Sequence, residues 1–423
     1  MITNLSNQKN YNFIFVILIL SLFLHVRFYT PLVIIRPFDL LTVIIFLFFF
    51  FKENKGEQNL SSGFYNLFPY LIIHALLATF ISIENFLRET IQVLLVLMFA
   101  YIASKMKYKI EFKRIIFYLL IGSAVIMGYV IVWHLSNNVW TGWKRLPDSR
   151  ILYTVFSVFL FGYLNIVKEN EINKAKIYFI FSLFFIILLF SGERKALLVF
   201  LFLFLMHYAY GSPFKIIIGL ILSYFFILFL SNNIENNYIS RMLQSILQIA
   251  KPGDVDSIIQ GAIPQDIISY SNLQRAYVFD FSKKLILENP FLGIGTNNFV
   301  PILKDEFYYL PNSWIQGIHN EFLRVCVENG LFGLVLYLII WIKSWSNTRK
   351  ILKKAKKDGF INKRQFVFIL YSIYVTMATY VGTEASANRS FIILVFISIL
   401  PDYLNHYFTS KKNNNIHSSI KVL

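Results

Sequence analysis

The sequence predicts an all-α integral membrane protein with about twelve transmembrane helices. Three observations predict it. Hydrophobic residues make up 57% of the 423 residues, and mean hydropathy is +0.58, where a soluble domain holds about 45–50% apolar residues. Charged residues are only 15%, against about 25% in a soluble domain. The apolar residues also come in runs near the roughly 20 residues that a bilayer core demands of a helix. Runs such as 44–51 and 177–190 do not alternate in polarity, as the strands of a membrane β-barrel would.

Taken in order, the first run, 13–24, is followed by no small-residue cleavage site and reads as part of span one, 11–26, rather than a signal peptide. The second span, 31–51, carries Arg36 and Asp39 three apart, a spacing that suits a structural pair. Spans three to nine fall at 64–83, 89–104, 114–135, 151–167, 177–190, 196–210 and 214–230. A long loop follows, then spans ten to twelve at 321–345, 365–381 and 390–407. The chain thus divides into residues 1–230 with nine spans, the loop 231–318, and residues 319–423 with three spans and a polar tail.

The formal net charge of +17 does not point to nucleic acid, because the basic residues crowd into short loops between spans. They concentrate at 105–114, 168–176 and 343–364. With twelve spans and a cytoplasmic N-terminus, all three loops fall inside, as the positive-inside rule requires. The loop 231–318 then falls outside. It has helical stripes of its own, Ile239, Met242, Leu243, Ile246 and Leu247, then Leu273, Tyr277, Phe281 and Leu285, with Lys251-Pro252-Gly253 between them as a breaker. A long loop with internal helices is usually functional rather than a linker.

Three polar sites collect on this outer face. The first is Ser191-Gly192-Glu193-Arg194-Lys195, a tight turn between apolar runs. Its purely structural reading is an interfacial anchor whose cations snorkel to the headgroups. The second is Arg275, two residues past Leu273 and so about 200° from the apolar stripe, followed by Asn289-Pro290-Phe291-Leu292-Gly293-Ile294-Gly295. The third is His319-Asn320-Glu321-Phe322-Leu323-Arg324, running into Glu328-Asn329-Gly330-Leu331-Phe332-Gly333. His319 stands where the loop re-enters the membrane, and histidine is the side chain suited to proton transfer near neutral pH. The competing reading is a histidine capping a helix. Arg324 and Glu328 are four apart and able to pair, yet charges in the first turns of an apolar span are costly unless paired or functional.

Other features carry less. Trp140 and Trp143, beside Lys144 and Arg145, are placed to stack on sugar rings, although interfacial tryptophans are common. Asp254-Val255-Asp256 matches the metal-binding Asp-x-Asp of nucleotide-sugar transferases, but on the wrong side of the membrane. The single cysteine, Cys326, excludes an intrachain disulfide and a cysteine-rich metal site.

In this order on one membrane face, the three sites resemble the O-antigen ligase and polymerase family of bacterial surface-polysaccharide assembly. The resemblance rests on the Ser191/Arg194 turn, on Arg275 with Asn289 to Gly295, and on His319 to Leu323 with Glu328 to Gly333. It covers about 190–337, and the first half of the chain contributes only topology. It implies a fold like the C-type membrane glycosyltransferases and an active site facing the periplasm or cell exterior from the bacterial inner membrane. The implied donor is an undecaprenyl-diphosphate-linked glycan and the acceptor a sugar hydroxyl on a second glycolipid. The implied reaction is inverting, with no metal and no cofactor, among membrane lipids and with no nucleic acid. Arg194 and Arg275 are then the cations for the leaving diphosphate, and His319 the general base. Lys195, Asn320, Arg324, Glu328, Trp140 and Trp143 are the expected substrate-binding residues.

Within that implication a polymerase, which uses a second lipid-linked glycan as acceptor, is preferred to a ligase acting on lipid A-core. A transporter or flippase is the reading from another class. It would place ionisable residues near mid-membrane in broken helices, whereas here they concentrate at the outer face.

Overall fold

The computed structural model describes residues 2–21, 28–29, 34–52, 60–106, 111–136, 149–167, 174–191, 194–209, 212–233, 270–312, 315–382 and 387–420. The protein is built of helices. They are α1 (Ile2–Ser21), α2 (Pro37–Lys52), α3 (Ser62–Leu77), α4 (Ile83–Met106), α5 (Phe112–Ser136), α6 (Ser149–Gly162), α7 (Lys174–Ser191), α8 (Arg194–Ala209) and α9 (Pro213–Asn233). After these come α10 (Tyr270–Glu288), α11 (Phe299–Glu306), α12 (Glu321–Lys357), α13 (Lys363–Val367), α14 (Ile373–Val381) and α15 (Ala387–Ile420). The last two short helices, α13 and α14, are joined by a π-helical turn, Phe368–Ser372.

A helix stands at each place where the apolar runs predict one. Among the described residues, four are long and apolar enough to cross a membrane by length and composition: Ser62–Phe80, Ile83–Met106, Glu321–Lys357 and Phe391–Lys411. Shorter apolar helices occupy Asn10–Ser21, Pro37–Phe51, Arg114–Tyr129, Phe156–Asn165, Phe179–Leu188, Lys195–Tyr208, Ile217–Phe226 and Gln365–Val381. The second run differs from its expected start. Ile34–Ile35 pairs antiparallel with Phe28–Tyr29, so helix α2 begins at Pro37 and not near residue 31. Proline suits that first helical position, and the Asp39 carboxylate accepts from the Arg36 backbone amide at 2.8 Å. Arg36 and Asp39 are therefore paired, through the backbone of a helix start.

Helices α3, α12 and α15 pack together, with α4 against α3 and α15. Their shared core holds Tyr70, Phe99, Tyr337 and Phe391, each fully buried. The contact is close because Gly63 of α3 lies on the Ser398 carbonyl of α15, with no room for a Cβ. A second core, centred on Phe161, Phe181, Phe184 and Phe200, joins α6, α7 and α8. A third, centred on Leu273, Tyr277, Phe281 and Phe299, is described below. Helix α12 continues well past the apolar stretch, since 37 residues span roughly 55 Å at the usual rise. Its end carries Lys353, Lys354, Lys356 and Lys357, and Leu352 and Ala355 pack there with Leu404 and Phe408 of α15.

The twelve-span arrangement predicts that 350–358 is cytoplasmic and that 253–265, which lies outside the described residues, is external. Single cysteines placed in each and labelled with an impermeant reagent in intact cells test it. Labelling is expected in the second loop alone. The opposite pattern overturns the orientation.

Candidate active site

Helix α12 is broken near its start, and the break organises everything around it. Gly330 has φ 65° and ψ −173° inside an otherwise helical run. Only glycine adopts this without strain, and a Cβ here would collide with the Phe291 carbonyl oxygen. The break frees helix carbonyls and amides that must find partners. They find them in the Asn289–Gly295 segment. Ile294 N–H donates to the Val327 carbonyl at 3.0 Å, and Gly295 N–H to the Glu328 carbonyl at 3.0 Å. In return Leu331 N–H donates to the Pro290 carbonyl at 2.8 Å, and Phe332 N–H to that of Phe291 at 3.3 Å. Gly293, at φ 70°, sits so close that a Cβ would lie 2.5 Å from the Val327 carbonyl oxygen. The second and third sequence sites are thus one structure, two motifs locked through their backbones.

Just before the break lies a buried charge triad. The Arg324 guanidinium donates to Glu321 through Nε at 2.8 Å and Nη2 at 2.6 Å, and to Glu328 through Nη1 at 2.7 Å. All three side chains are buried. The bidentate fork on Glu321 is the geometry guanidinium and carboxylate favour. Arg324 and Glu328 pair with each other, as their spacing allows, and Glu321 completes the set.

Glu328 continues the network outward. Asn297 has a left-handed backbone, φ 63°, unusual for a residue other than glycine but tolerated best by asparagine and aspartate. Its backbone amide lies near the Glu328 carboxylate. Its side-chain Nδ2 donates to Glu89 of α4 at 2.5 Å. Glu89 in turn meets His74 Nε2 of α3 at 3.4 Å, with the Arg88 Nε 3.5 Å from its other oxygen. His74 Nδ1 lies 3.2 Å from Asn329 Oδ1. Asn329 Nδ2 donates to Thr296 Oγ1 at 2.8 Å, and that hydroxyl donates to the His74 carbonyl at 2.7 Å. The first half of the chain therefore contributes more than topology: it supplies His74, Arg88 and Glu89 to the motif junction. The signal was present in the sequence as two ionisable side chains, His74 and Glu89, set within or at the edge of apolar runs, where such groups are costly.

The predicted stripe on α10 is buried as expected: Leu273, Tyr277, Phe281 and Leu285 pack with Phe299, Leu303 and Phe307 of the loop and with Val327 of α12. Burial pushes the Tyr277 phenol up to about 12, so it stays neutral in its apolar setting. Arg275, off the stripe, is half-buried. His319 is also half-buried, with Nε2 3.0 Å from Gln316 Oε1. Asn320, and not His319, caps α12: its Oδ1 accepts from Leu323 N–H at 3.1 Å. Arg194 opens α8 and Lys195 follows, half-buried, on the helix that packs with α6, α7 and α9. The Arg194 side chain, Gly192, Glu193, Trp140 and Trp143 lie outside the described residues, as do Asp254 and Asp256.

No curated protein matches the chain. A family model described as O-antigen ligase matches residues 179–338. The match takes in the Ser191 turn, Arg275 with its glycine motif, and the His319 run, and it supports activity of the O-antigen ligase and polymerase type, that of a membrane glycosyltransferase. The match to the O-antigen ligase family thus covers all three polar sites and the junction that joins two of them.

Proposed function

We propose that the protein is a surface-polysaccharide polymerase of the bacterial inner membrane, moving an undecaprenyl-diphosphate-linked glycan onto the sugar hydroxyl of a second lipid-linked glycan. The observation that carries this reading is the family match over a region containing Arg194, Arg275 and His319, two of which border the locked junction in the chain: α10 leads into Asn289, and His319 leads into α12. The acceptor oxygen attacks the anomeric carbon while the bond to diphosphate breaks, so the configuration inverts. His319 takes the hydroxyl proton. His319 Nε2 lies 3.0 Å from Gln316 Oε1, a contact that orients the ring. Arg275 and Arg194 meet the charge that develops on the leaving diphosphate, and arginine suits this by its permanent charge and planar fork. In this scheme the reaction uses no metal, and the site faces the periplasm or exterior. Arg324 and Glu328 hold each other, so they support the site's shape more readily than they contact substrate.

The purified protein in liposomes, supplied with lipid-linked glycan alone, tests the reading. A ladder of lengthening products is expected. Product only on addition of lipid A-core would make it a ligase instead, and no product with either acceptor overturns the transferase reading. Nothing in the comparisons supports a transporter.

Within this reading, Arg275→Lys is expected to lose most activity at normal protein levels, because a point charge does not reproduce the bidentate fork. Tyr277→Asp is expected to lower the amount of folded protein instead, since it sets a carboxylate into an apolar site 1% exposed. Product yield per folded molecule separates the two. Wild-type output from Arg275→Lys removes Arg275 from the diphosphate site.

A further inference from the structure

We propose that His74 and Glu89 are positioning residues for transfer: a buried clasp by which α3 and α4 hold the loop following Arg275 in fixed register with the helix start following His319. The proposal rests on the transferase reading given above, which uses neither residue.

His74, Glu89, Thr296 and Asn329 are each fully buried. Three separate stretches of chain meet in them. Thr296 and Asn297 come from the loop, Asn329 from the broken helix, and His74 and Glu89 from helices more than two hundred residues earlier. The bonds from Asn329 to His74, from Asn329 to Thr296 and from Thr296 back to the His74 carbonyl close a ring. The loop backbone joins it, Thr296 N–H donating to the Leu77 carbonyl at 3.4 Å. Asn85 of α4 adds a bond from Nδ2 to the Thr296 carbonyl at 3.0 Å. A sideways shift of the loop would break several of these at once and leave their atoms without partners in a dry site. Reacting groups displaced by about 1 Å lose up to roughly a hundredfold in rate, so a clasp that fixes this register acts on turnover.

The donor and acceptor roles also single out one informative substitution. With Nδ1 donating to Asn329 Oδ1, His74 Nε2 meets the Glu89 oxygen favourably only with a proton between them. A glutamine at 89 supplies that hydrogen from its amide and still offers its oxygen to Asn297. Glu89→Gln should therefore keep the clasp, and Glu89→Ala should open it.

The experiment combines hydrogen exchange across 289–298 with steady-state transfer by the full-length protein in detergent or liposomes. Glu89→Ala is expected to speed exchange in that segment at least about tenfold, with α6 to α8 unchanged, and to cut kcat by about 10–100-fold while the donor KM moves less than about threefold. Glu89→Gln is expected to restore both. If Glu89→Ala does not fold, Asn297→Gly, which removes the loop's side of the same contact and tolerates the left-handed backbone, is read in its place. Unchanged exchange in the opened variant overturns the proposal. So does faster exchange with wild-type kcat per folded molecule, which would make the clasp a matter of stability alone. Glu89→Gln as damaged as Glu89→Ala also overturns it, because charge and not the bond pattern would then be required. Absence of product from the wild-type protein is a failure of the transferase reading, and the exchange measurements then decide the clasp by themselves.

Discussion

His319→Gln is expected to abolish or strongly cut glycan transfer while leaving the amount of folded, membrane-inserted protein unchanged. Glutamine keeps a hydrogen bond at this position but does not accept the hydroxyl proton, and a general base contributes roughly 10²–10⁴ in rate. His319→Ala is expected to behave the same way. The structure sharpens this, because the cap of α12 is Asn320, whose Oδ1 holds the Leu323 amide. Losing His319 therefore leaves the helix start capped, and a loss of activity is not a loss of fold. The contrast is Asn320→Ala, expected to destabilise by about 1 kcal/mol through loss of the cap. Transfer by purified variants, read as product length on a gel beside a thermal-stability curve, makes the comparison. A folded His319→Gln protein with wild-type output removes histidine from the mechanism.

Arg324→Met is expected to have the largest effect on folding. It strips the common partner from Glu321 and Glu328, which accept from Arg324 at 2.6 and 2.7 Å and are 0% and 3% exposed. Breaking a buried pair by removing one member costs about 3–5 kcal/mol, because the remaining charge has neither water nor a counter-ion. Here two carboxylates are left. Adding Glu321→Gln and Glu328→Gln to Arg324→Met removes both stranded charges and is expected to recover much of the folded protein. Fluorescence-detected size exclusion of the three proteins reads the result. If Arg324→Met folds normally and loses only transfer, the guanidinium serves substrate and the structural assignment of the triad fails.

Much of this was legible in the sequence, and the parts that were not share a physical cause. Apolar run length announces a helix because the bilayer sets it, so helices stand where the runs do. The stripe Leu273, Tyr277, Phe281 and Leu285 announces its buried face by helical spacing alone. The glycine motifs were visible as motifs, but their partnership was not. Gly293 and Gly330 are conspicuous one by one, yet only three-dimensional contact shows that each makes room for the other's backbone. His74 and Glu89 were harder still. They belong to no local pattern, and their partners at 297 and 329 lie more than two hundred residues away. The start of α2 was not legible, because the apolar run from 31 includes Ile34–Ile35, which pair as a strand with Phe28–Tyr29 before Pro37 begins the helix.

The broken start of α12 has a consequence for how the chain is made. A helix opening with Glu321, Arg324 and Glu328 and interrupted at Gly330 is a poor candidate to enter a bilayer by itself. The ribosome delivers residues in chain order. The groups that the structure assigns to this segment, His74 and Glu89, then Pro290, Phe291, Ile294, Gly295, Thr296 and Asn297, are all synthesised before it. These polar partners are therefore already made when the costly half-helix emerges. Its carboxylates neutralise their own arginine within two turns, and its free carbonyls meet amides already waiting in the nascent protein.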